Sequence, residues 1–361
     1  MGLEIDFLPV GDGEKCGDAI ALRWGDLHGG REAQTVVVVD GGFADDGEAL
    51  ASHLLNYYGT TRADIVIATH PDQDHVNGLK ALLGSIDVGL LCMHLPWTRS
   101  DAVKLAKSAG FASSGMLEKF AKNFASAAEL EDLARSNGIP IVEPFAGQST
   151  PDGVLTILSP TEVYYHELLA EIAGGTEPSA FEALLSKLTG HVGEAAQKLV
   201  PESLFVETLT DWGQTTPQNN SSVICLVRVD GQAALLTADA GMPALSMAAD
   251  QLDAMSLVPG GLTFVQVPHH GSRRNVGPTV LDRLLGTKGQ SQTRGTAFVS
   301  ASQASPKHPA KKVTNAFLRR GYPVHGGDDG LARWHHHNAP ARNWNSSTPH
   351  ALYQLVEDDE G

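Results

Sequence analysis

The chain is organised around residues 66–79, which read Val66-Ile67-Ala68-Thr69-His70-Pro71-Asp72-Gln73-Asp74-His75-Val76-Asn77-Gly78-Leu79. Two histidines and two aspartates fall within six residues, directly after an apolar run over 63–68 that predicts a buried strand. A turn at the end of a buried strand can point several side chains at one spot. Imidazole nitrogen and carboxylate oxygen together suit zinc, manganese or iron. The pattern therefore predicts a metal site in preference to the simpler alternative, a polar loop with Asp74 as N-cap of the next helix.

Apolar spacing elsewhere predicts strands that alternate with helices, an order typical of a layered α/β fold. In the first half we expect strands over 5–10, 18–24, 35–40, 63–68 and 88–95, with helices over 46–58 and 76–83. In the second half we expect strands over 141–142, 154–158, 222–230, 232–237, 262–267 and 297–300, and helices over 244–255, 278–285 and 312–320. After residue 326 the chain is rich in turns, with one candidate strand over 351–356.

Two stretches interrupt this alternation, at about 98–138 and 161–217, and both are mainly helical in composition. In the second stretch the helices are expected over 162–172, 180–187 and 192–198. Such insertions form lids or interaction surfaces, or simply enlarge the core, and the sequence leaves these alternatives open. We expect one domain over residues 1–361, with a C-terminal tail from about 340 to 361.

Composition excludes several classes of protein. The formal net charge of −16 repels phosphate backbones at long range unless a local basic patch compensates, so non-specific nucleic-acid binding is not expected as the main function. No apolar run reaches the length of a membrane span, and no signal peptide opens the chain, so we expect a cytoplasmic protein without a membrane partner. Three widely spaced cysteines make a disulfide framework improbable.

The motif His70-x-Asp72-x-Asp74-His75 resembles the metal-binding signature of the metallo-β-lactamase superfamily, usually His-x-His-x-Asp-His. The form with aspartate second is typical of the hydrolase domain of the ComEC/Rec2 DNA-uptake proteins and their soluble, stand-alone relatives. Further segments match this branch in order over roughly residues 3–330: Gly17-Asp18-Ala19-Ile20, Val39-Asp40-Gly41-Gly42, Leu235-Leu236-Thr237-Ala238-Asp239-Ala240 and Val267-Pro268-His269-His270-Gly271-Ser272. The resemblance implies an αββα sandwich with two mainly helical insertions.

The resemblance also implies two divalent metal ions, Zn²⁺ or Mn²⁺. His70 and Asp72 would bind one ion, Asp74 and His75 the other, and Asp239 would bridge them. His269 would complete the second site with His270 beside it; which of the pair binds metal stays open, and we favour His269. Asp74 would also orient the nucleophile.

One departure from the family pattern concerns the residues before the strand that leads to Asp239. Many members carry another metal-binding histidine there, whereas this chain has Gln218-Asn219-Asn220-Ser221-Ser222. Asn219 or Asn220 could bind metal or orient substrate, or the segment could be only a turn.

Other polar residues are candidates for supporting roles. Asp40 is expected to hold a ligand histidine in one tautomer. His308 is a candidate for phosphate contact or proton donation. Lys307, with Arg273 and Arg274, could neutralise a phosphate. Asp18 is assigned to capping a turn, and the tract 335–337 to the surface.

The resemblance implies a metal-dependent hydrolase, in which divalent cations would lower the pKa of a bound water so that hydroxide exists at neutral pH. The favoured reaction is phosphodiesterase or nuclease-type hydrolysis of a small molecule or short nucleic acid. The alternatives are a hydrolase of a lactone, thioester or β-lactam, and a non-catalytic interaction scaffold.

The donor set generates a prediction about the metal. Asp72 replaces a usual nitrogen donor with oxygen, and oxygen-rich sites shift preference from zinc towards manganese. We expect activity of metal-stripped protein to return better with Mn²⁺ than with Zn²⁺, and Asp72→His to reverse that order. Restoration by zinc alone, with manganese inert in the wild type, would contradict the donor-softness argument.

Overall fold

The computed structural model describes residues 1–11, 15–98, 124–174, 199–290, 292–326 and 330–358. The strands are β1 (Gly2–Phe7), β2 (Ala19–Gly25), β3 (Gln34–Gly41), β4 (Arg62–Ala63), β5 (Ile65–Ile67), β6 (Asp87–Val88), β7 (Leu91–Cys92), β8 (Ile141–Val142), β9 (Leu155–Ser159), β10 (Leu199–Pro201), β11 (Ile224–Val229), β12 (Gln232–Leu236), β13 (Phe264–Gln266), β14 (Thr296–Phe298), β15 (Val324–His325), β16 (Arg333–His337) and β17 (Leu355–Glu357).

Most of these strands form two large sheets. The first has seven strands in the order β16-β1-β2-β3-β5-β7-β8, and the second has six in the order β15-β14-β13-β12-β11-β9. Two short ribbons, β4-β6 and β10-β17, lie outside these sheets.

Helices cover the outer face of each sheet. Those of the described residues are α1 (Ala44–His53, continued by a π-helical turn over Leu54–Tyr58), α2 (Gln73–Ser85), α3 (Ala125–Ser136), α4 (Glu162–Gly174), α5 (Pro217–Asn220), α6 (Met242–Ala254), α7 (Pro278–Leu285) and α8 (Lys311–Arg319). Buried side chains of α1, α2 and α3 pack on the first sheet, and those of α6, α7 and α8 on the second.

A third apolar cluster lies between the two sheets, where Ile5 and Val37 of the first share a core with Cys225 and Phe264 of the second. Residues that alternate along each strand thus reach either the helices or the opposite sheet, as period-two patterning requires. The predicted αββα sandwich is confirmed.

Close packing of α2 fixes the first turn of that helix, which carries Asp74 and His75. Gly78 approaches the end of β3 so closely that an added Cβ would lie 1.8 Å from the carbonyl oxygen of Gly41. The Gly78 amide also donates to the Gly42 carbonyl at 2.9 Å. Only glycine permits this approach, which fixes the position of α2 against the end of β3.

Several predicted strand boundaries were wrong. The runs 63–68 and 88–95 each divide in two, because their first residues pair with each other in the β4-β6 ribbon and only the later ones enter the main sheet. The first strand begins at Gly2 and ends at Phe7. Strand propensity marks an extended backbone but not its partner, so such divisions are invisible in sequence.

The C-terminal region also differs from expectation. Residues 333–337 form β16, which pairs with β1 at the sheet edge, and the ring of His335 lies 4.7 Å from that of Phe264. Burial lowers the pKa of His335 to about 4. Because three of these five residues are histidines, the segment lacks the alternation of apolar and polar residues that would predict a strand. The strand expected over 351–356 is reduced to β17.

The insertions are described in part. Residues 101–123 of the first and the expected helices 180–187 and 192–198 of the second lie outside the described residues. Within the first insertion, α3 contributes the buried Leu130 and Ala134 to the core, so this part enlarges the core. Phe124 and Tyr165 join the two insertions in a small aromatic cluster.

Candidate metal centre

The predicted ligands meet at the carboxyl ends of strands from both sheets. Asp40 ends β3, the loop 68–75 follows the parallel strand β5, Asp239 follows β12, and His269 follows β13, which is parallel to β12. Carboxyl ends of parallel strands lie at one edge of a sheet, so residues distant in sequence converge there.

The carboxylate of Asp239 lies at the centre of the cluster, and the residue is only 3% exposed. Its Oδ1 atom lies 3.6 Å from Nε2 of His75 and 3.6 Å from Nε2 of His270. Its Oδ2 atom lies 3.9 Å from Nε2 of His70 and 3.5 Å from Nε2 of His269. One carboxylate therefore faces four imidazoles through both oxygens.

Hydrogen bonds on the far side hold the two loop histidines. Asp40 Oδ2 lies 2.7 Å from Nδ1 of His75 and accepts from the Thr69 hydroxyl at 2.6 Å, while that hydroxyl oxygen lies 3.0 Å from Nδ1 of His70. An acceptor at Nδ1 places the proton of a neutral ring there, so in their neutral forms both rings present an Nε2 lone pair on the side of Asp239. Asp40 thus governs the tautomers of two histidines.

The other two histidines are held differently. Nδ1 of His270 lies 2.7 Å from the Ser300 carbonyl oxygen, which can only accept, so Nε2 of His270 is free of a proton in the neutral ring. Nδ1 of His269 lies 2.8 Å from the Asn219 amide. The His270 side chain is 4% exposed, whereas that of His269 is 30% exposed.

The centre contains buried polar atoms without hydrogen-bond partners: Nε2 of His70, His75 and His270, and Oδ1 of Asp18 and Asp239. Unpartnered buried polar atoms are costly, and here they point at one another. A divalent cation would satisfy nitrogen and carboxylate donors together, as metal sites with mixed donors do. The donor set therefore fits a metal ion.

The electrostatics follow from this crowding. Burial would raise the pKa of Asp239, but His269, His270 and His75 hold it well below its usual value. Burial would lower the pKa of His75, but the carboxylates of Asp239 and Asp40 raise it well above its usual value. Burial, with the neighbouring histidines, lowers the pKa of His308 to about 4.

Asp18 belongs to the cluster, although sequence analysis assigned it to a turn cap. It accepts a 2.7 Å hydrogen bond from Gln266 Nε2, and its carboxylate oxygens lie 3.9 Å from Nδ1 of His75 and of His270. Burial raises the pKa of Asp18. The signal available in the sequence was its place within the matched segment Gly17-Asp18-Ala19-Ile20.

The two remaining aspartates of the loop, Asp72 and Asp74, are half-buried beside the cluster. Asp72 occupies the N-cap position of α2 without a capping hydrogen bond, and its Oδ2 atom lies 3.7 Å from Nε2 of His70. A carboxylate oxygen of Asp74 lies within 4.8 Å of ring nitrogens of His75 and His270.

A cavity of about 520 Å³ opens beside the cluster. His269, Asn219 and His308 are among its lining residues, and the ring centroids of His269 and His308 are 6.1 Å apart. Further lining residues are Thr215, Thr216, Ser272, Arg273, Arg274, Lys307 and Glu357. Asn220 does not line the cavity; its Oδ1 accepts from the Thr215 hydroxyl at 2.8 Å.

Comparisons with known proteins found a matching family model and several similar solved structures. A family model described as the metallo-beta-lactamase superfamily matches residues 31–284. Similar solved structures include the metallo-beta-lactamase fold protein YhfI from Bacillus subtilis, with 9% identity over 93% of this chain and 100% of that chain and a TM-score of 0.41. A diphosphatase of the PhnP family is 11% identical over 93% of this chain and 98% of that chain, with a TM-score of 0.39. A long-form RNase Z from yeast is 11% identical over 82% of this chain and 37% of that chain, with a TM-score of 0.33. No curated protein matches the sequence.

The fold and the donor cluster define an αββα protein with a candidate metal centre. Since the family model spans well over half of the chain, the protein belongs to the metallo-β-lactamase superfamily, whose members are generally hydrolases that bind divalent metals. No helix of the described residues is long and apolar enough to cross a membrane.

The position of Asp40 generates a prediction. Asp40→Asn keeps the shape of the side chain but removes the charge that fixes both loop histidines, so metal affinity should fall by about 10–100-fold, as for other partners of metal-binding histidines. Competition with a chromogenic chelator measures this affinity. Asp250→Asn, which alters an exposed carboxylate paired with Arg283, serves as the control and should leave the metal affinity unchanged. Unchanged affinity in Asp40→Asn would contradict the assigned role.

Proposed function

We propose that the protein hydrolyses phosphodiester bonds in a nucleotide or a short single strand of nucleic acid, with two divalent cations at the centre. The proposed ligands are His70, Asp72, Asp74, His75, Asp239 and the His269–His270 pair. When bound, such cations lower the pKa of water and neutralise charge on phosphate oxygens. The resemblance of the loop motif to that of DNA-uptake proteins supports the same reaction.

The observation that carries the proposal is the charge of the cavity. Lys307, Arg273 and Arg274 line it, against the single carboxylate of Glu357. Glu357 accepts a hydrogen bond from the Lys311 amide at 2.9 Å, and Nη1 of Arg273 donates to the Asp358 carbonyl oxygen at 2.7 Å. In a chain with a net charge of −16, this local excess of cations beside the donor cluster is what a phosphate group requires.

The cavity residues then take separate roles. Lys307 and Arg274 bind phosphate oxygens as they enter beside His269. His308 also lines the cavity, with its ring centroid 6.1 Å from that of His269, so the ring is placed to contact bound substrate. Asp74, which groups with His75 and His270, orients the attacking water.

An exposed tryptophan two residues before a cavity-lining residue supports a substrate that carries a base. Trp212 is 88% exposed, and Gln214, two residues on, lines the cavity. The backbone of Gly213 touches that of Arg274, since an added Cβ would lie 2.2 Å from the Arg274 carbonyl oxygen. Exposed aromatic rings beside basic grooves stack nucleobases in single-strand-binding proteins.

A substrate panel tests the reaction class. We expect metal-loaded protein to cleave bis-p-nitrophenyl phosphate and labelled single-stranded DNA but neither a lactone nor nitrocefin. Lys307→Gln should lower kcat/KM on DNA by roughly 10–100-fold, the effect of losing a hydrogen bond to a charged group. Lys288→Gln, whose partner is Glu207, is the matched control. Turnover of the lactone or nitrocefin alone would favour the alternative hydrolase class, and inertness towards every compound would favour the interaction scaffold.

Base stacking has its own test. Trp212→Ala should lower kcat/KM on single-stranded DNA by roughly 5–100-fold, since stacking on an aromatic ring contributes about 1–3 kcal/mol per base. The variant should match wild type on a strand with an abasic site at the cleaved position. Phe205→Ala, which alters an aromatic ring that is 78% exposed and does not line the cavity, is the control. Equal losses on both strands would argue against stacking.

A further inference from the structure

Two consecutive histidines of the centre face different oxygens of one carboxylate. Nε2 of His269 lies 3.5 Å from Asp239 Oδ2, whereas Nε2 of His270 lies 3.6 Å from Asp239 Oδ1. Both residues have left-handed backbone conformations, with φ of 48° and 55°, and their rings stand at 85° to each other. Such strain persists only where the surroundings determine it, and here it directs adjacent rings to opposite sides of Asp239.

The loop histidines divide in the same way, because His70 faces Oδ2 and His75 faces Oδ1 of Asp239. Each oxygen therefore has one loop histidine and one member of the His269–His270 pair. Donor atoms about 2.0–2.2 Å from a shared tetrahedral cation lie roughly 3.3–3.6 Å from one another, so separations of 3.5–3.9 Å need little adjustment.

The aspartates of the loop follow this division. Asp72 lies 3.7 Å from Nε2 of His70, on the Oδ2 side. Asp74 groups with His75 and His270, on the Oδ1 side. Each side thus collects two imidazole nitrogens and two carboxylates, counting Asp239 on both, and the carboxylate of Asp18 also groups with His75 and Asp239.

We propose that His269 and His270 bind different cations. The first site comprises Asp239 Oδ2, His70, Asp72 and His269; the second comprises Asp239 Oδ1, Asp74, His75 and His270. His269 then supplies the nitrogen that the histidine missing from residues 218–222 provides in many relatives. This division rests on the pair of cations in the proposed function.

Asn219 becomes a positioning residue in this arrangement. Its amide lies 2.8 Å from Nδ1 of His269, with Nδ2 towards the ring and Oδ1 accepting from the Thr216 hydroxyl at 2.8 Å. His269 binds a cation through Nε2 only when Nδ1 carries the proton, so the amide must present Oδ1 to the ring. A half-turn of the amide achieves this, and the Thr216 hydroxyl then accepts from Nδ2.

Double variants assign each histidine to its site through the number of bound ions. Wild type should bind two Mn²⁺, counted by elemental analysis after gel filtration and by loss of the free-ion electron paramagnetic resonance signal. His269→Ala combined with Asp72→Ala removes donors from one site and should retain one Mn²⁺. His269→Ala combined with Asp74→Ala removes donors from both sites and should retain none at the same ion concentration. His270→Ala shows the opposite pattern if the division is right: combined with Asp74→Ala it should retain one Mn²⁺, and combined with Asp72→Ala it should retain none.

The outcomes separate the two proposals. Fewer than two Mn²⁺ on wild type would overturn the cation pair and its division together. Two ions on wild type, with His269→Ala behaving like His270→Ala or with their patterns exchanged, would overturn only the division. His28→Ala removes an exposed imidazole and His308→Ala a neighbouring one; both should retain two ions.

The Asn219 variants test the division without removing a ligand. Asn219→Ala should weaken binding of one Mn²⁺ by about 10–100-fold and leave the other unchanged, because His269 loses the partner that fixes its tautomer. Asn219→Asp, which can only accept from Nδ1, should restore the affinity. If Asn219→Ala left the affinity for both Mn²⁺ ions as in wild type, the result would count against the role of His269.

Discussion

A buried carboxylate surrounded by four imidazoles is the interaction on which the rest of this structure depends. Asp239 is almost wholly buried, and burial alone would favour its protonated form. A buried anion persists only when opposite charges or hydrogen-bond donors compensate it. The compensating groups come from a loop of one sheet and a turn of the other, so the two halves of the sandwich must meet at this edge. The inter-sheet core that Ile5 and Phe264 share holds them in that register.

The cost of this convergence is visible in the backbone. Asp40, Ala238, His269 and His270 all adopt positive φ, and they account for four of the seven such non-glycine residues in the described part of the chain. Each costs on the order of 1–2 kcal/mol for an L-residue. The close packing of the sandwich holds these residues in the strained conformation. The strained turns direct their side chains into the cluster, whereas a regular strand end would direct them elsewhere.

Charge acts on two length scales in this protein. The net charge of −16 repels long polyanions at a distance, whereas Lys307, Arg273 and Arg274 attract a phosphate once it reaches the cavity. Screening in salt shortens the first effect to about 8–10 Å and leaves the contacts within the cavity largely intact. In the proposed function this combination suits a small or short substrate better than duplex nucleic acid, and the exposed ring of Trp212 is the surface proposed to stack its base.

The sequence by itself determined the layered fold and most of the candidate donors. Strand and helix periods are local, so apolar spacing predicted a layered α/β order, and the resemblance of the motif implied the αββα sandwich. The group His70–His75 lies within six consecutive residues and is therefore visible in the sequence. The tertiary structure alone decided that Asp18 joins the centre through Gln266, a residue 248 positions away. It also decided that residues 333–337 pair with β1, and which oxygen of Asp239 each histidine faces. These features depend on backbone angles at single residues and on contacts between distant segments, and neither leaves a periodic trace in the sequence.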